Sequence, residues 1–339
     1  MSDGTRLRAA IVGAGLMGKW HADAVRKVGG VVAIVADKDP SRAYGFAREL
    51  GVGAASTGSV GAALSGDLVD VVHICTPPSD HPAIVRSALV AGLHVICEKP
   101  LAETAATTAE LHAEATEREL LLCPVHQYLF QEGVMRLTRR LPQLGRLTSA
   151  AAFMSSAGSD GGDDAARDRL AMDVLPHPLS LVGRLIPGSL ANTSWNVTRA
   201  QSGEMQAVGT HQGASLSIQI STHSRPPVNA LRLTGERGTA NLDLFHGFVS
   251  FDDVGASRFG KIIHPFAASG QTLAAASSNL LRRASRREQA FPGLRELIRR
   301  FYAAVGAKEA SPIGSTESTD VAAARDAIVA AFRREGAVG

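Results

Sequence analysis

The chain has little of what would place it in a membrane, outside the cell or on a metal. Its 339 residues include only three cysteines, at positions 75, 97 and 123, too few for a disulfide framework and without the spacing of metal ligands. No apolar run approaches the ~18 residues that a membrane span requires. Residues 1–15 lack the order of charge, apolar core and cleavage site of a signal peptide. We therefore expect a cytoplasmic protein with reduced thiols, no metal and no membrane partner.

The chain also lacks a strong charge of either sign, with a net charge of +3. Its basic residues cluster in residues 280–301, LLRRASRREQAFPGLRELIRRF, which contain seven arginines. No aromatic platform, helix-turn-helix pattern or zinc pattern accompanies these arginines. The segment therefore predicts a solvated or intersubunit helical face, and we expect no nucleic-acid partner.

Hydrophobic patterning separates the chain into two parts. Residues 1–125 alternate continuous apolar runs with amphipathic segments, which is typical of βαβ units and of a parallel sheet covered on both faces. The predicted strands are 7–12, 31–36, 54–56, 69–75, 94–97 and 120–125, and the predicted helices are 17–28, 40–50, 81–91 and 105–119. This is the doubly wound α/β pattern, in which ligands bind at the carboxyl ends of the strands.

After residue 125 the chain alternates apolar and polar residues between glycines, which predicts an α+β domain with a largely antiparallel, open-faced sheet. One helix is expected at 170–186, after a polar Gly- and Asp-rich loop at 158–168. A terminal helix is expected to return to the first domain. The predicted domains are therefore 1–125, 126–317 and 318–339. The open face of the sheet predicts a homodimer or homotetramer.

A glycine-rich turn, GAGLMG, follows the first predicted strand. The G-x-G-x-x-G spacing alone is weak evidence, because a chain with 34 glycines produces such spacings by chance. The assignment depends on the position of the turn between a predicted strand and a predicted helix. The first glycine permits a tight turn, the second lets the backbone approach a pyrophosphate, and the third lets helix and strand pack closely. The alternative is a plain glycine turn. The predicted dinucleotide contacts are Gly13, Gly15, Leu16, Met17 and Gly18.

Asp37 closes the second predicted strand, nineteen residues after Gly18. An acidic residue at this place accepts hydrogen bonds from the adenosine ribose of NAD. Its charge would repel the extra phosphate of NADP, whereas the nearby Lys38 and Arg42 would attract it. We predict NAD, with NADP as the alternative, and include Lys38 and Arg42 among the cofactor contacts.

Three further motifs follow in order: CTPPSDH at 75–81, CEKPLA at 97–102 and MDVLPHPLS at 172–180. Together with the glycine fingerprint they resemble the Gfo/Idh/MocA family of NAD(P)-dependent oxidoreductases over nearly the whole chain. The resemblance implies an N-terminal Rossmann domain, a C-terminal α+β domain, and a sugar, cyclitol or related polyol or ketone as substrate.

The resemblance implies Lys99 as a catalytic residue beside the nicotinamide and Glu98 as a neighbour of the nicotinamide ribose. A hydride leaves a carbinol carbon only as the hydroxyl loses its proton, and a partly desolvated lysine can take that proton. A cis bond between Lys99 and Pro100 is also expected. The resemblance further makes Asp173 and His177 catalytic partners of Lys99. The alternative is a solvated Lys99, a capping Asp173 and a packed His177.

Further contacts with the cofactor are expected from Thr76, Pro77, His81 and Gln127, although His81 could instead cap a helix. Two departures from the family pattern bear on the substrate. Family members often carry an aspartate where Ser180 stands, and their N-x-R motif is replaced here by HQYLF at 126–130. The expected substrate contacts are therefore Ser180 and Tyr128, and Tyr128 could equally belong to the core.

The sequence thus predicts an oxidoreductase that transfers a hydride between nicotinamide and a secondary alcohol or ketone, with Lys99 and His177 handling the proton. Two alternatives remain. Relatives of this fold hold NAD tightly and cleave glycosides through transient oxidation. The second alternative is a non-catalytic sensor that binds a dinucleotide. It applies if the departures around Ser180 and 126–130 remove the substrate site.

Overall fold

The structure is a computed structural model that describes residues 6–51, 55–57, 60–64, 67–156, 162–253, 258–288 and 290–336. It divides into two compact units, Met1–His126 with Leu294–Ala322, and Gln127–Gly293 with Ala323–Gly339. The first boundary lies within one residue of the prediction. The remainder differs. Residues 294–317, predicted to belong to the second domain, group with the first unit, whereas residues 323–339, predicted to return to the first domain, group with the second unit.

The first unit is built around a parallel six-stranded sheet in the order β3-β2-β1-β4-β5-β6. Its strands are β1 (Arg8–Val12), β2 (Val31–Ala36), β3 (Ala55–Thr57), β4 (Val71–Ile74), β5 (His94–Cys97) and β6 (Leu122–Pro124). Its first helices are α1 (Leu16–Lys27), α2 (Pro40–Leu50), α3 (Val60–Ala63), α4 (His81–Val90) and α5 (Ala105–Glu117). The doubly wound Rossmann prediction is confirmed.

Local sequence explains where these elements begin. Asp39 precedes α2, and its carboxylate accepts from the amide of Ser41 at 2.9 Å, while Pro40 has no N–H that would need an acceptor at the first helical position. Thr104 caps α5 in the same way through the amide of Thr107. The central strands are buried along their whole length, as expected for apolar runs covered on both faces.

The second unit is built around a seven-stranded sheet in the order β13-β12-β11-β7-β10-β9-β8. Its strands are β7 (Leu147–Ser155), β8 (Trp195–Thr198), β9 (Glu204–His211), β10 (Ala214–Ser221), β11 (Asn229–Gly235), β12 (Gly238–Asp243) and β13 (Phe248–Asp253). All neighbouring strands are antiparallel except β7 and β10. Burial alternates along β10 and β12, so one face of the sheet is covered and the other is open, as predicted.

The helices of this unit are α6 (Glu132–Arg140), α7 (Asp164–Val174), α8 (Pro176–Leu185) and α9 (Arg258–Ser285). The single helix predicted at 170–186 is therefore wrong, and so is the loop predicted to extend to Asp168. Asp163 is the N-cap residue of α7, and its carboxylate accepts from the amide of Ala166 at 2.6 Å. The start of that predicted loop, at 158–161, lies outside the described residues.

Two last helices, α10 (Leu294–Ala307) and α11 (Ser315–Gly336), follow α9. Helix α10 packs on α1 and brings the fully buried Phe301 and Leu297 into the first unit. The boundary between the units falls inside α11. The arginine-rich segment 280–301 is thus not one helical face, because it spans the end of α9, a turn and the start of α10. Within the described residues, no helix is long and apolar enough to cross a bilayer.

Candidate functional site

The parallel sheet of the first unit brings four of the predicted motifs to one edge. In its register Val12 lies beside both Ala36 and Ile74, and Ile74 lies beside Cys97. The residues that follow these positions are the glycine turn, Asp37, the TPP segment and Glu98-Lys99. The carboxyl ends of neighbouring strands therefore present all four segments where doubly wound sheets bind ligands.

The glycine turn has the geometry that its spacing predicts. Gly13 has φ +104°, and a Cβ there would lie 2.5 Å from the carbonyl oxygen of Cys75. A Cβ on Gly18 would collide with the carbonyl oxygen of Gly13. Gly15 differs, because a Cβ there would meet only Nη2 of Arg42, at 3.6 Å. The space beside Gly15 and the amides of α1, which no side chain caps, fit the pyrophosphate of a dinucleotide.

Asp37 is buried at the end of β2, against the glycine turn. One carboxylate oxygen accepts from the amide of Ala14 at 2.8 Å, and the other accepts from the amide of Asp39 at 3.0 Å. Each oxygen keeps a second lone pair for a ribose hydroxyl. Lys38 and Arg42 are exposed beside it. The predicted adenosine contacts therefore lie together, and the guanidinium of Arg42 lies beside Gly15 of the glycine turn.

The TPP segment contains one atom that fits a bound cofactor and one residue that the sequence prediction misplaced. The buried hydroxyl of Thr76 makes no hydrogen bond within the described part of the chain. His81 was predicted to touch the cofactor, but it is fully buried, with Nδ1 2.8 Å from the carbonyl oxygen of Pro100 and Nε2 2.9 Å from that of Thr76. Both ring nitrogens are thus occupied, so His81 fastens the loop after β4 to the loop after β5.

Glu98 and Lys99 end β5. The Lys99-Pro100 bond is cis, as expected. Lys99 is half-buried, while Glu98 is buried, with Oε1 3.1 Å from Nε2 of His21 and Oε2 accepting from the amide of Lys99 at 3.3 Å. Burial alone would raise the pKa of Glu98. The hydrogen bond from His21 and the ammonium of Lys99 outweigh it, so the pKa of Glu98 is lowered. Glu98 is therefore an ionised carboxylate held from two sides.

In the second unit the predicted Asp173 and His177 lie on either side of a break between helices. Asp173 is in the last turn of α7, three residues before α8 begins at Pro176. His177 is the second residue of α8, where Pro176 occupies the first position and Pro178 the third. Prolines are tolerated there because the first helical amides have no partner inside the helix. Asp173 and His177 are both half-buried.

Tyr128 stacks on the ring of His177, with ring centroids 4.6 Å apart and planes at 25°. Its hydroxyl lies 3.4 Å from Nδ2 of Asn229, and burial raises the pKa of Tyr128 to about 12. Tyr128 is therefore a neutral phenol that fixes the plane of the imidazole. The predicted substrate contact by Ser180 is corrected, because Ser180 is fully buried and donates to the carbonyl oxygen of His177 at 2.9 Å.

Gln127 begins a 3-10 turn that also carries Tyr128. Its side chain is buried, and Oε1 accepts no hydrogen bond from the described residues. Sequence reasoning missed two residues, His73 and Tyr302, which lie behind Glu98. His73 was detectable as a lone polar residue inside the buried strand VVHI, whereas nothing local marks Tyr302. No group of three potential metal ligands occurs among the described residues.

Comparison with known proteins gives a family match for residues 7–126, the N-terminal part of the first unit. Residues 7–126 match the model of an oxidoreductase family with an NAD-binding Rossmann fold, Gfo/Idh/MocA. The chain is 35% identical over 133 residues to D-xylose 1-dehydrogenase (NADP(+)) 2 of Haloferax volcanii. The aligned residues cover 39% of this chain and 41% of that protein. It is 38% identical over 97 residues to inositol 2-dehydrogenase of Corynebacterium glutamicum, with 28% of each covered. The chain thus spans less than half the length of these curated relatives.

Solved structures share the fold over nearly the whole chain. UDP-N-acetylglucosamine 3-dehydrogenase from Acidithiobacillus ferrooxidans superposes with a TM-score of 0.76 at 22% identity, over 98% of this chain and 99% of that one. Levoglucosan dehydrogenase in complex with NADH and levoglucosan gives a TM-score of 0.79 at 18% identity, over 98% of both chains. At these identities the likeness concerns the fold. The match to the Gfo/Idh/MocA model covers residues 7–126 of the 339, and these residues carry the whole parallel sheet of the first unit.

Proposed function

We propose that the chain is an NAD(P)-dependent oxidoreductase that transfers a hydride between nicotinamide and a secondary alcohol or ketone of a sugar, cyclitol or related polyol. The observation that carries the proposal is the register of the parallel sheet, which brings the glycine turn, Asp37, Thr76 and the Glu98-Lys99 pair to one edge. The relatives named above are dehydrogenases of a pentose and of inositol, which supports a polyol as substrate.

On the cofactor side, this chain supplies binding and orientation. The open space beside Gly15 admits the pyrophosphate, and Asp37 offers lone pairs to ribose hydroxyls. The buried hydroxyl of Thr76 and Oε1 of Gln127 are the polar atoms that we assign to the cofactor, with Gln127 accepting from the carboxamide of the nicotinamide. When bound, the nicotinamide supplies the carbon that takes or gives the hydride.

Proton transfer falls to side chains in the same proposal. Lys99, half-buried and next to an ionised Glu98, exchanges a proton with the reacting hydroxyl. We assign the role of second acid or base to His177, with Asp173 as its catalytic partner. The stacked ring of Tyr128 keeps the imidazole of His177 in one plane, which favours proton transfer in a fixed direction.

The assay that tests the proposal incubates the full chain with NAD⁺ or NADP⁺ and a panel of polyols. The panel includes D-xylose, inositol, levoglucosan and UDP-N-acetylglucosamine, and the reduced nicotinamide is followed by its near-ultraviolet absorbance. We expect reduction with at least one compound. Release of a sugar from glycosides without accumulation of NADH would identify a glycoside-cleaving enzyme instead. Binding of NADH with no turnover of any compound would identify a sensor.

Asp37→Ser is expected to move cofactor preference towards NADP. The substitution removes the carboxylate that would face a 2′-phosphate, while Lys38 and Arg42 remain to attract it. Relief of a like-charge contact is worth about 1.4 kcal/mol or more, so the ratio of NADP⁺ to NAD⁺ affinity should rise at least about tenfold. The ratio is measured by titrating both cofactors. Asp23→Ser, on the exposed side of α1, is the matched control, and an unchanged ratio in Asp37→Ser would refute the role of Asp37.

We also propose that the chain forms a homodimer or homotetramer in the cytoplasm. The open face of the second unit's sheet supports association, and α9 exposes Phe266, Leu273 and Leu280 at seven-residue intervals. Sedimentation of the purified chain is expected to give a dimer or tetramer, and a monomer at micromolar concentration would contradict this.

A further inference from the structure

A chain of four polar side chains runs through the first unit behind Glu98. Oε1 of Glu98 lies 3.1 Å from Nε2 of His21, and Nδ1 of His21 lies 2.9 Å from Nδ1 of His73. Nε2 of His73 lies 2.8 Å from the hydroxyl of Tyr302. Both histidines are fully buried. We call Glu98, His21, His73 and Tyr302 the relay.

The elements that carry the relay explain why these side chains meet. His21 lies on α1, three residues after Gly18 of the glycine turn, and His73 is the third residue of the central strand β4. Tyr302 comes from α10, which packs on α1 more than two hundred positions later in the chain. The imidazoles meet edge to face, with centroids 5.2 Å apart at 85°, so that a nitrogen of each ring points at the other.

The ends of the relay determine the direction of its hydrogen bonds. The ionised Glu98 can only accept, so His21 carries its hydrogen on Nε2. In a neutral His21, Nδ1 then accepts from Nδ1 of His73. Burial lowers the pKa of His73 well below its usual range, so His73 is neutral and its Nε2 accepts from the phenol of Tyr302. All three hydrogens therefore point towards Glu98.

We propose that Tyr302 and His73 are positioning residues, which act through His21 to hold the carboxylate of Glu98 in one orientation for the cofactor. The physical basis is cooperativity, since a ring nitrogen that accepts a hydrogen bond makes the hydrogen on the opposite nitrogen a stronger donor. The phenol thus strengthens the bond from His73 to His21, which strengthens the bond from His21 to Glu98. The assignment of Glu98 to the nicotinamide ribose rests on the proposed function. The order of the hydrogens does not.

The first experiment reads the order of hydrogens without turnover. Nitrogen NMR of imidazole-labelled full-length protein distinguishes a protonated from an unprotonated ring nitrogen, and the variants His21→Gln and His73→Gln assign the signals. We expect the hydrogen on Nε2 of His21 and on Nδ1 of His73. A hydrogen on Nε2 of His73 would overturn the proposal, because the bonds would then point away from Glu98.

The second experiment asks whether the relay acts through Glu98. Tyr302→Phe removes only the hydroxyl, and we expect the Kd for NADH to rise roughly three- to tenfold, the equivalent of one hydrogen bond. In a Glu98→Gln background the same substitution should leave Kd unchanged, since the effect passes through the carboxylate. Thr108→Val removes a buried hydroxyl of the same unit that donates only to Thr104, and it should leave Kd unchanged.

The outcomes separate this inference from the proposed function. An unchanged Kd in Tyr302→Phe, or an equal rise in the Glu98→Gln background, would overturn the relay and leave the oxidoreductase proposal standing. The expected tautomers and Kd changes in a protein that oxidises none of the polyols would support the relay and defeat the proposed reaction.

Discussion

Replacing Lys99 with alanine is expected to lower kcat by about a hundredfold to ten-thousandfold, the range for loss of a positioned acid or base. Lys99 is half-buried at the end of β5, beside the ionised Glu98. Its removal takes away the ammonium to which the proposed mechanism assigns proton exchange with the reacting hydroxyl, whereas the glycine turn and Asp37 remain. The Kd for NADH should therefore change little. Steady-state turnover and NADH titration on the same preparation check both statements.

Two further substitutions show whether a titrating group or only a positive charge is needed at position 99. Lys99→Arg keeps the charge but cannot release a proton near neutral pH, so it should be nearly as inactive as the alanine variant. Lys308→Ala, at an exposed lysine after α10, controls for loss of a lysine charge elsewhere and should leave kcat unaltered. Turnover by Lys99→Ala at the wild-type rate would remove Lys99 from the mechanism.

Adding one methyl group to the glycine turn is expected to have opposite consequences at Gly15 and Gly18. Gly15 has φ −79°, which any residue adopts, and a Cβ there meets only the end of Arg42. Gly15→Ala should keep the thermal midpoint, but the methyl group fills the space for the pyrophosphate, so NADH affinity should fall at least about tenfold. In Gly18→Ala the methyl group meets the carbonyl oxygen of Gly13, so α1 must move from β1. That overpacking costs about 1–3 kcal/mol of stability.

Differential scanning calorimetry and NADH titration separate these effects. Gly45→Ala, in α2 with nothing near the added methyl group, is the control and should raise stability by about 0.5–1 kcal/mol without altering NADH affinity. If Gly15→Ala binds NADH as tightly as the unaltered protein, the pyrophosphate does not lie beside Gly15.

The elements most accurately predicted from sequence are those whose pattern is local. The strands of the first unit are continuous apolar runs, so β2 and β5 were predicted with the bounds that the structure has. The start of α7 was missed because its capping Asp163 lies within an Asp- and Gly-rich stretch that resembles a loop. A capping aspartate and a loop aspartate look alike in the local sequence, so the start of α7 could not be predicted from it.

The candidate site shows the same contrast between local patterns and distant contacts. Motif spacing identified the glycine turn, Asp37 and the Glu98-Lys99 pair, because each follows a strand of the sheet. It assigned His81 to the cofactor, whereas the ring is occupied by two carbonyl oxygens. It could not find Tyr302, since the contact with His73 joins residues separated by 229 positions. The positions of residues at the ends of strands could be predicted from sequence, and contacts with a distant partner could not.

The return of α10 to the first unit determines when that unit is completed during synthesis. Residues 7–126 carry the whole parallel sheet, yet α1 is covered by Phe301 and Leu297, and the phenol that contacts His73 lies at residue 302. At about 5–20 residues per second, the ribosome adds the intervening residues over roughly ten seconds or more. Until then the nascent parallel sheet has an uncovered face of α1, and Nε2 of His73 lacks the phenol of Tyr302. The first unit therefore cannot be finished until residues 127–293 of the second unit have been made.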